Sequence, residues 1–256
     1  MDLGLKGKRA IVTGGTRGIG RAIAETLAAE GADVAICARK ENEIAEAVDA
    51  LKAKGVKAYG GAVDIADGAK LKAWIGEAAG QLGGLDVLVC NASALAQGNA
   101  EEAWNAAYTI DVLGVQRAIE AALPHLTKAA GANGDAAVAI ISSVSAAEAT
   151  NADAYGAMKA SQMHLAKGLA KANAAKHVRF NVVSPGTVYF KGGVWHQIEQ
   201  GMPDFFKTMI ARNPTGRMAT PQDIANATVF LCSPASSFTT GINMVVDGAI
   251  TGRVNF

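Results

Sequence analysis

Hydrophobic residues in this chain fall in short unbroken runs separated by longer amphipathic stretches. Six runs, "RAIVTG", "DVAICA", "KAYGGAV", "DVLVCN", "AVAIISS" and "VRFNVVSP", have strand length and are dominated by Val, Ile and Ala. Apolar runs of that length bounded by turn residues read as β-strands, and the Ala-, Leu-, Glu- and Lys-rich segments between them read as helices. The alternation predicts βαβ units. Because the strands lack an alternating polar face, they are expected to be buried on both sides of a parallel sheet, which places the chain in the α/β class with helices covering the sheet. Gly and Pro fall between elements, and neither a flexible linker nor a repeat of about 20–50 residues interrupts the pattern. One continuous domain over residues 1–256 is the expectation. The glycine- and alanine-rich stretch "KAAGANGD", 128–135, reads as a surface connection.

Composition narrows the class of function. Half of the 256 residues are hydrophobic and the net charge is +1 with the charges scattered, so no basic stripe offers itself to a phosphate backbone and no polybasic tail to anionic lipid. Nucleic-acid and membrane partners are therefore not expected. "MDLGLKGKRA" has an acidic second residue and no apolar core of a signal peptide, and "AAVAII" is too short to cross a bilayer, which points to a cytoplasmic protein. Cys37, Cys90 and Cys232 are far apart and form no Cys-x-x-Cys, so they read as small core residues, not as a disulfide framework or zinc site. His125, His164, His177 and His196 show no paired ligand spacing, and no metal is expected.

Candidate chemistry begins directly after the first strand. "TGGTRGIGRAIAETLAAEG" places Gly14, Gly18 and Gly20 at the entry to a helix that starts near Ile19. Glycines there let the backbone turn tightly and approach a pyrophosphate whose charge the helix N-terminal amides meet. The spacing is Gly-x-x-x-Gly-x-Gly. At the end of the second strand, "AICARKE" has Ala38 where an acid would hold free ribose hydroxyls, followed by Arg39 and Lys40, with Arg17 of the glycine turn able to converge on the same point. That arrangement favours NADP(H) over NAD(H), since a charge-assisted phosphate contact contributes about 1.5–3 kcal/mol. Asp64, after the third strand, is a candidate acceptor for an adenine amino group or, alternatively, a helix N-cap.

"AYGAMKAS" sets Tyr155 four residues before Lys159, so on a helix both project toward one spot. A lysine cation about 4.5 Å from a phenol, at an effective dielectric near 20, stabilises the phenolate by about 3–4 kcal/mol. Tyr155 is thereby suited to general acid–base work.

With "CNAS" at 90–93, "IISSVS" at 140–145, "YGAMK" at 155–159 and "NVVSPGT" at 181–187, the chain resembles the short-chain dehydrogenase/reductase family in its single-domain branch, from about Lys6 to Gly248. The resemblance implies a Rossmann-type, doubly wound sheet of about seven strands, a nicotinamide cofactor, and reversible hydride transfer between carbonyl and alcohol. It also implies cofactor contacts from Gly14, Thr16, Arg17, Gly18, Ile19, Gly20, Arg39, Lys40, Asp64, Ile65, Asn91, Ala92, Tyr155, Lys159, Pro185, Gly186 and Val188. Lys159 would hydrogen-bond the nicotinamide ribose. A serine at the end of the preceding strand would bind the substrate oxygen; Ser143 is the choice, while spacing to the tyrosine points to Ser142.

Two positions depart from the family pattern. Asp111 of "YTIDVLG" stands where the family has an asparagine that supports a water relay to the lysine, and Ser93 replaces the glycine of Asn-Ala-Gly. Residues 188–215 hold Tyr189, Phe190, Trp195, Phe205 and Phe206, over a third of the chain's seven Phe, four Tyr and three Trp. They read as a substrate lid closing over a hydrophobic carbonyl compound, or alternatively as core or interface anchors. The C-terminal "RMATPQDIANATVFLCSPASSFTTGINMVVDGA" looks like the family's closing helix and strand, and a homotetramer is expected by analogy. The leading reading is an NADPH-dependent carbonyl reductase. A 3-oxoacyl-[acyl-carrier-protein] reductase is the alternative within enzymes, and a non-catalytic nucleotide-sensing protein the alternative outside them.

Overall fold

The computed structural model describes residues 2–149 and 152–254. Seven strands, β1 (Arg9–Thr13), β2 (Asp33–Ala38), β3 (Ala58–Ala62), β4 (Val87–Cys90), β5 (Ala136–Ile141), β6 (Val178–Pro185) and β7 (Asn243–Val246), form one sheet in the order β3-β2-β1-β4-β5-β6-β7. All pairings are parallel, with Val12 opposite Ile36 on one side and Val89 on the other. The chain winds outward from β1 in one direction and then returns to build the other half from β4. The strand order therefore reverses between β1 and β4, and a crevice opens at their carboxyl ends, the position where open α/β sheets bind ligands.

Nine α-helices accompany the sheet among the described residues: α1 (Gly18–Ala29), α2 (Glu41–Lys52), α3 (Gly68–Leu82), α4 (Glu101–Ala107), α5 (Val115–Asn133), α6 (Ala154–Asn173), α7 (Val194–Gly201), α8 (Pro203–Arg212) and α9 (Pro221–Cys232). A π-helical turn, Tyr108–Gly114, joins α4 to α5 without a break. The five inner strands bury both faces, as the unbroken apolar runs require. Ile11 packs with Leu71, Ile75, Leu126 and Phe180 under α3, α5 and α6, whereas its neighbours Ala10 and Val12 pack with Ile23, Leu27, Ile224 and Val229 under α1 and α9. No described helix is long and apolar enough to cross a membrane. Cys37, Cys90 and Cys232 are free and buried, and burial pushes each thiol up to about 12, which keeps them inert core residues.

Two local expectations are corrected. Residues 128–133 are not a surface connection: α5 continues through them, with Ala129 and Ala130 buried, and closes at Gly134 in the left-handed conformation (φ +79°). Alanines support the helix and Gly131 is tolerated within it, while Gly134 supplies the terminating cap. The third strand is not buried on both faces. As the outermost strand, β3 is only partly covered, and so is β7 at the opposite edge.

Candidate active site

The glycine turn is held in shape from below. Thr13, at the end of β1, accepts hydrogen bonds through its hydroxyl from the amides of Asn91 (3.0 Å) and Ala92 (3.2 Å), and the Asn91 side-chain amide donates to the carbonyls of Thr13 (3.0 Å) and Gly14 (3.1 Å). Gly14 (φ +68°) and Gly18 (φ +55°) take the left-handed conformations the turn needs. A Cβ on Gly20 would lie 2.2 Å from the Gly14 carbonyl oxygen and 2.4 Å from the Asn91 amide, so only glycine fits. The helix that follows has no side-chain cap and no acid in its first turn, and no loop acceptor takes the amides of Gly18, Ile19 and Gly20 among the described residues. Unpaired amides at a helix N-terminus form an anion cradle. A second unsatisfied group, the Thr187 hydroxyl in the loop after β6, is buried without a partner among the described residues. The turn, the free amides and this orphaned hydroxyl fit a dinucleotide lying across the crevice.

At the adenosine end, Arg39 is exposed and its side chain has no partner among the described residues. Lys40 is ion-paired to Glu43 at 2.8 Å, and the Arg17 guanidinium donates to the carbonyl of Gly192 at 3.3 Å. Asp64 is not the N-cap of α3. That role belongs to Asp67, which accepts from the Lys70 amide, while Asp64 accepts from the Ala66 amide within its own turn and is exposed. Ile65, partly buried, packs on Gly114.

The catalytic candidates meet at the other end of the crevice. Helix α6 starts with Asp153 as its cap and carries Tyr155 and Lys159 on one face, the Lys159 ammonium lying 5.7 Å from the Tyr155 ring centroid. Tyr155 is partly buried and Lys159 wholly so, at 2% exposure. The ammonium donates to the Ile141 carbonyl at 2.9 Å and pairs with Asp111 Oδ1 at 3.1 Å, where the carboxylate is 1% exposed. This contact is ionic more than directional, because Oδ1 has no well-aligned hydrogen-bond donor. Oδ2 accepts from the Ala94 amide at 3.0 Å. The Asp111 backbone carbonyl is taken by the Gln162 side-chain amide at 2.7 Å. Asp111 lies in the π-helical turn, a widening often found where a helix serves a functional site.

The two serines at the end of β5 are treated differently. Ser142 donates its hydroxyl to the Lys159 carbonyl at 2.9 Å and is spent on fixing α6 to the sheet. Ser143 accepts from the Ser145 amide at 3.1 Å, which leaves its own proton available. Gln162, one helical turn beyond Lys159, is a site residue that motif reading missed; its helical register with Tyr155 and Lys159 was the available signal.

Pro185, the last residue of β6, and Gly186 lead into a flap that leaves and re-enters the domain beside itself. Val188 bridges Ala219, and amides of Tyr189 and Ala219 donate to Ala219 and Thr187 carbonyls at 2.9 Å. Between these points α7 and α8 contain no buried residue. Trp195 stacks on Phe205 (6.3 Å) and Tyr189 packs on Phe206 (5.7 Å), so the rings hold the flap to itself and are not anchors of the domain core. Phe190 reaches back to the glycine turn, its Cζ 2.5 Å from where a Cβ on Gly18 would stand. Tyr189 donates its hydroxyl to Glu199, which holds this phenol above its usual range.

Comparison with known proteins agrees with this geometry. Residues 14–251 match a family model described as Enoyl-(Acyl carrier protein) reductase, adh_short_C2. Isoepoxydon dehydrogenase patN of Penicillium expansum is 35% identical over 255 residues, covering 98% of this chain and 97% of the relative. Cis-4-hydroxycyclohexanecarboxylate dehydrogenase of Sinomonas cyclohexanicum is 36% identical over 254 residues, with 94% and 96% covered. The crystal structure of L-sorbose reductase from Gluconobacter frateurii, complexed with NADPH and L-sorbose, superposes with a TM-score of 0.90 at 29% identity, covering 99% of this chain and all of that one. The chain belongs to the short-chain dehydrogenase/reductase family of hydride-transfer oxidoreductases.

Proposed function

We propose that this protein is an NADPH-dependent reductase of small carbonyl compounds, able to run in reverse on secondary alcohols, with Tyr155 as its general acid and base. The observation that carries this reading is the placement of Tyr155 on the crevice wall directly above the buried ammonium of Lys159. A nicotinamide cofactor, when bound, supplies or accepts the hydride at the substrate carbon. Its diphosphate would be held by the amides of Gly18, Ile19 and Gly20, its adenosine phosphate by Arg39 and Lys40, and its carboxamide end by the loop from Pro185 to Val188, where the Thr187 hydroxyl lacks a partner.

In reduction, negative charge develops on the substrate oxygen. The Ser143 hydroxyl donates to that oxygen, and Tyr155 hands it the phenolic proton. The Lys159 cation beneath the ring makes the resulting phenolate less costly. Asp111 acts through Lys159 as a positioning residue: its carboxylate and the Ile141 carbonyl fix the ammonium between them. Its backbone carbonyl is engaged by Gln162, so the asparagine-type relay through that carbonyl has a competitor here, and the side-chain carboxylate makes the lysine contact directly. Residues 188–215 form the lid over the substrate, its aromatic lining suited to an apolar carbonyl compound.

The names of the relatives point both ways: one is named for a hydroxycyclohexane acid and a structural neighbour holds a sugar, while the family model and other relatives are named for acyl groups on a carrier protein. The choice of a free small molecule rests on the apolar flap and on the absence of a dense cationic cluster for an acidic carrier. The homotetramer belongs to the same proposal; the half-buried edge strand β7 and the fully exposed Phe238 in the turn before it are surfaces that association would cover.

The test follows NADPH consumption with ketones, diketones, aldehydes and 3-oxoacyl thioesters, wild type beside Tyr155→Phe. Turnover of a free carbonyl that the variant loses while still binding cofactor supports the reading. Undiminished turnover in the variant refutes the role of Tyr155, and turnover of thioesters alone shifts the function to acyl reduction.

A further inference from the structure

Glu43 is a carboxylate in an unexpected place. In the first turn of α2 it accepts from the Lys40 ammonium at 2.8 Å and from the Thr16 hydroxyl of the glycine turn at 3.3 Å. Lys40 and Arg17 are among the groups expected to meet an adenosine 2′-phosphate, and Glu43 pairs with the first and feels the charge of the second. The Lys40 hydrogen bond above all, helped by the charge of Lys40, the Thr16 hydrogen bond and the charge of Arg17, holds its carboxyl below the usual range although burial opposes it. It is thus a fixed negative charge within the cation cluster, only one-third exposed where Lys40 is 71% exposed.

We propose that Glu43 is a specificity-determining residue that weakens this protein's preference for the 2′-phosphorylated cofactor, by occupying the Lys40 ammonium and the Thr16 hydroxyl that the phosphate would otherwise engage. The proposal rests on the reading of Arg39 and Lys40 as the phosphate end of the site. When a phosphate arrives, the Lys40–Glu43 pair must be shared or broken, and a carboxylate stays close to a second anion. A cofactor with a free 2′-hydroxyl escapes this repulsion. It can also use Glu43 as a hydrogen-bond acceptor, the service an acid at the end of β2 would perform had Ala38 not replaced it. An alternative role, favouring the α2 N-terminus by its charge, would affect stability and leave both cofactors equally bound.

Calorimetric titration of NADPH, NADH and adenosine 2′,5′-bisphosphate separates these roles in wild type, Glu43→Gln and Arg39→Ala. Glutamine keeps the size and the polar contact to Thr16 but removes the charge. The expected result is NADPH and the bisphosphate binding about three- to fivefold tighter to Glu43→Gln, with NADH changed less than about twofold, and a gain that shrinks as salt is raised. An unchanged or lower NADPH-to-NADH affinity ratio in Glu43→Gln overturns the proposal, the lower ratio meaning that Glu43 orients Lys40 for the phosphate. Arg39→Ala is the control for the underlying reading: loss of NADPH affinity by about ten- to a hundredfold supports the site. If Arg39→Ala leaves the ratio untouched, the phosphate site lies elsewhere, and the Glu43 proposal falls with it.

Discussion

The floor of the crevice and the flap above it are built on opposite principles. The groups that hold Lys159 are enclosed: the ammonium is 2% exposed, its partner Asp111 1%, and Ser142, Gln162 and the Ile141 and Asp111 carbonyls tie α6, the π-helical turn and β5 into one unit. The flap from Val188 to Ala219 has no buried residue in either helix, is held by ring-on-ring contacts, and attaches through a short ladder at its two feet. Proton transfer tolerates little misplacement of its groups, so fixing them by burial favours the chemistry. Substrate entry needs the reverse, an element whose displacement exposes little apolar surface.

Damage to the floor and damage to the flap give different signatures. Tyr155→Phe removes one hydroxyl from a partly buried ring and is expected to lower kcat by about 10²–10⁴ with cofactor affinity and Tm nearly unchanged. Asp111→Ala strands the buried Lys159 ammonium. Breaking one side of a buried pair costs about 3–5 kcal/mol, so Tm should fall by about 10 °C in a chain of this size. Asp111→Asn, similar in shape but neutral, should lose about half of that, and an unchanged Tm in Asp111→Ala would mean that the ion pair fixes nothing. Trp195→Ala, in the flap, should raise KM for an apolar carbonyl about tenfold and move Tm by no more than about 2 °C. A large fall in Tm instead would make this ring a structural anchor and erase the contrast.

What could be read from the sequence follows the same division. The strands, the glycine turn and the Tyr155–Lys159 face were legible because each depends on residues close in the chain: unbroken Val/Ile/Ala runs, glycines where φ is positive, and two side chains four apart on a helix. The end of α5 was not, since "GANG" carries loop composition, and only the packing of Ala129 and Ala130 reveals that the helix continues. The direct pairing of Asp111 with Lys159 depends on a π-helical widening and on docking of α6, and neither has a local signature. The same holds for Phe190 against Gly18, which joins segments far apart in sequence. The sequence offers Ser143 as the choice with spacing pointing to Ser142, and the hydrogen bond from Ser142 to the Lys159 carbonyl, which joins β5 to α6, has no local signature either. The contact of Glu43 with Thr16 likewise joins segments far apart in sequence.

The returning foot of the flap offers the mildest perturbation. Thr220 caps α9 by accepting from the Asp223 amide, while Asp223 accepts in turn from the Thr220 amide at 2.8 Å and from Arg217 at 2.7 Å. Arg217 first, then the Thr220 amide, pull the Asp223 carboxyl down to about 2, although burial opposes them. A group held below its unfolded value of about 3.9 contributes stability that is fully present above that value and is lost as pH falls through the folded one. Because Asp223 is one-third exposed, solvent screening reduces the contribution well below what the shift alone suggests. Asp223→Asn is therefore expected to cost about 1 kcal/mol near pH 7, the worth of a helix cap. The variant should also lose part of the fall in Tm that the wild type shows between about pH 4 and 2, so that the two Tm curves converge at the acid end. Parallel curves would show that Asp223 acts there through its neutral hydrogen bonds and not through its charge. If KM rises in the variant while kcat holds, the foot of the flap sets how the lid sits over the substrate without reaching the floor where the proton moves.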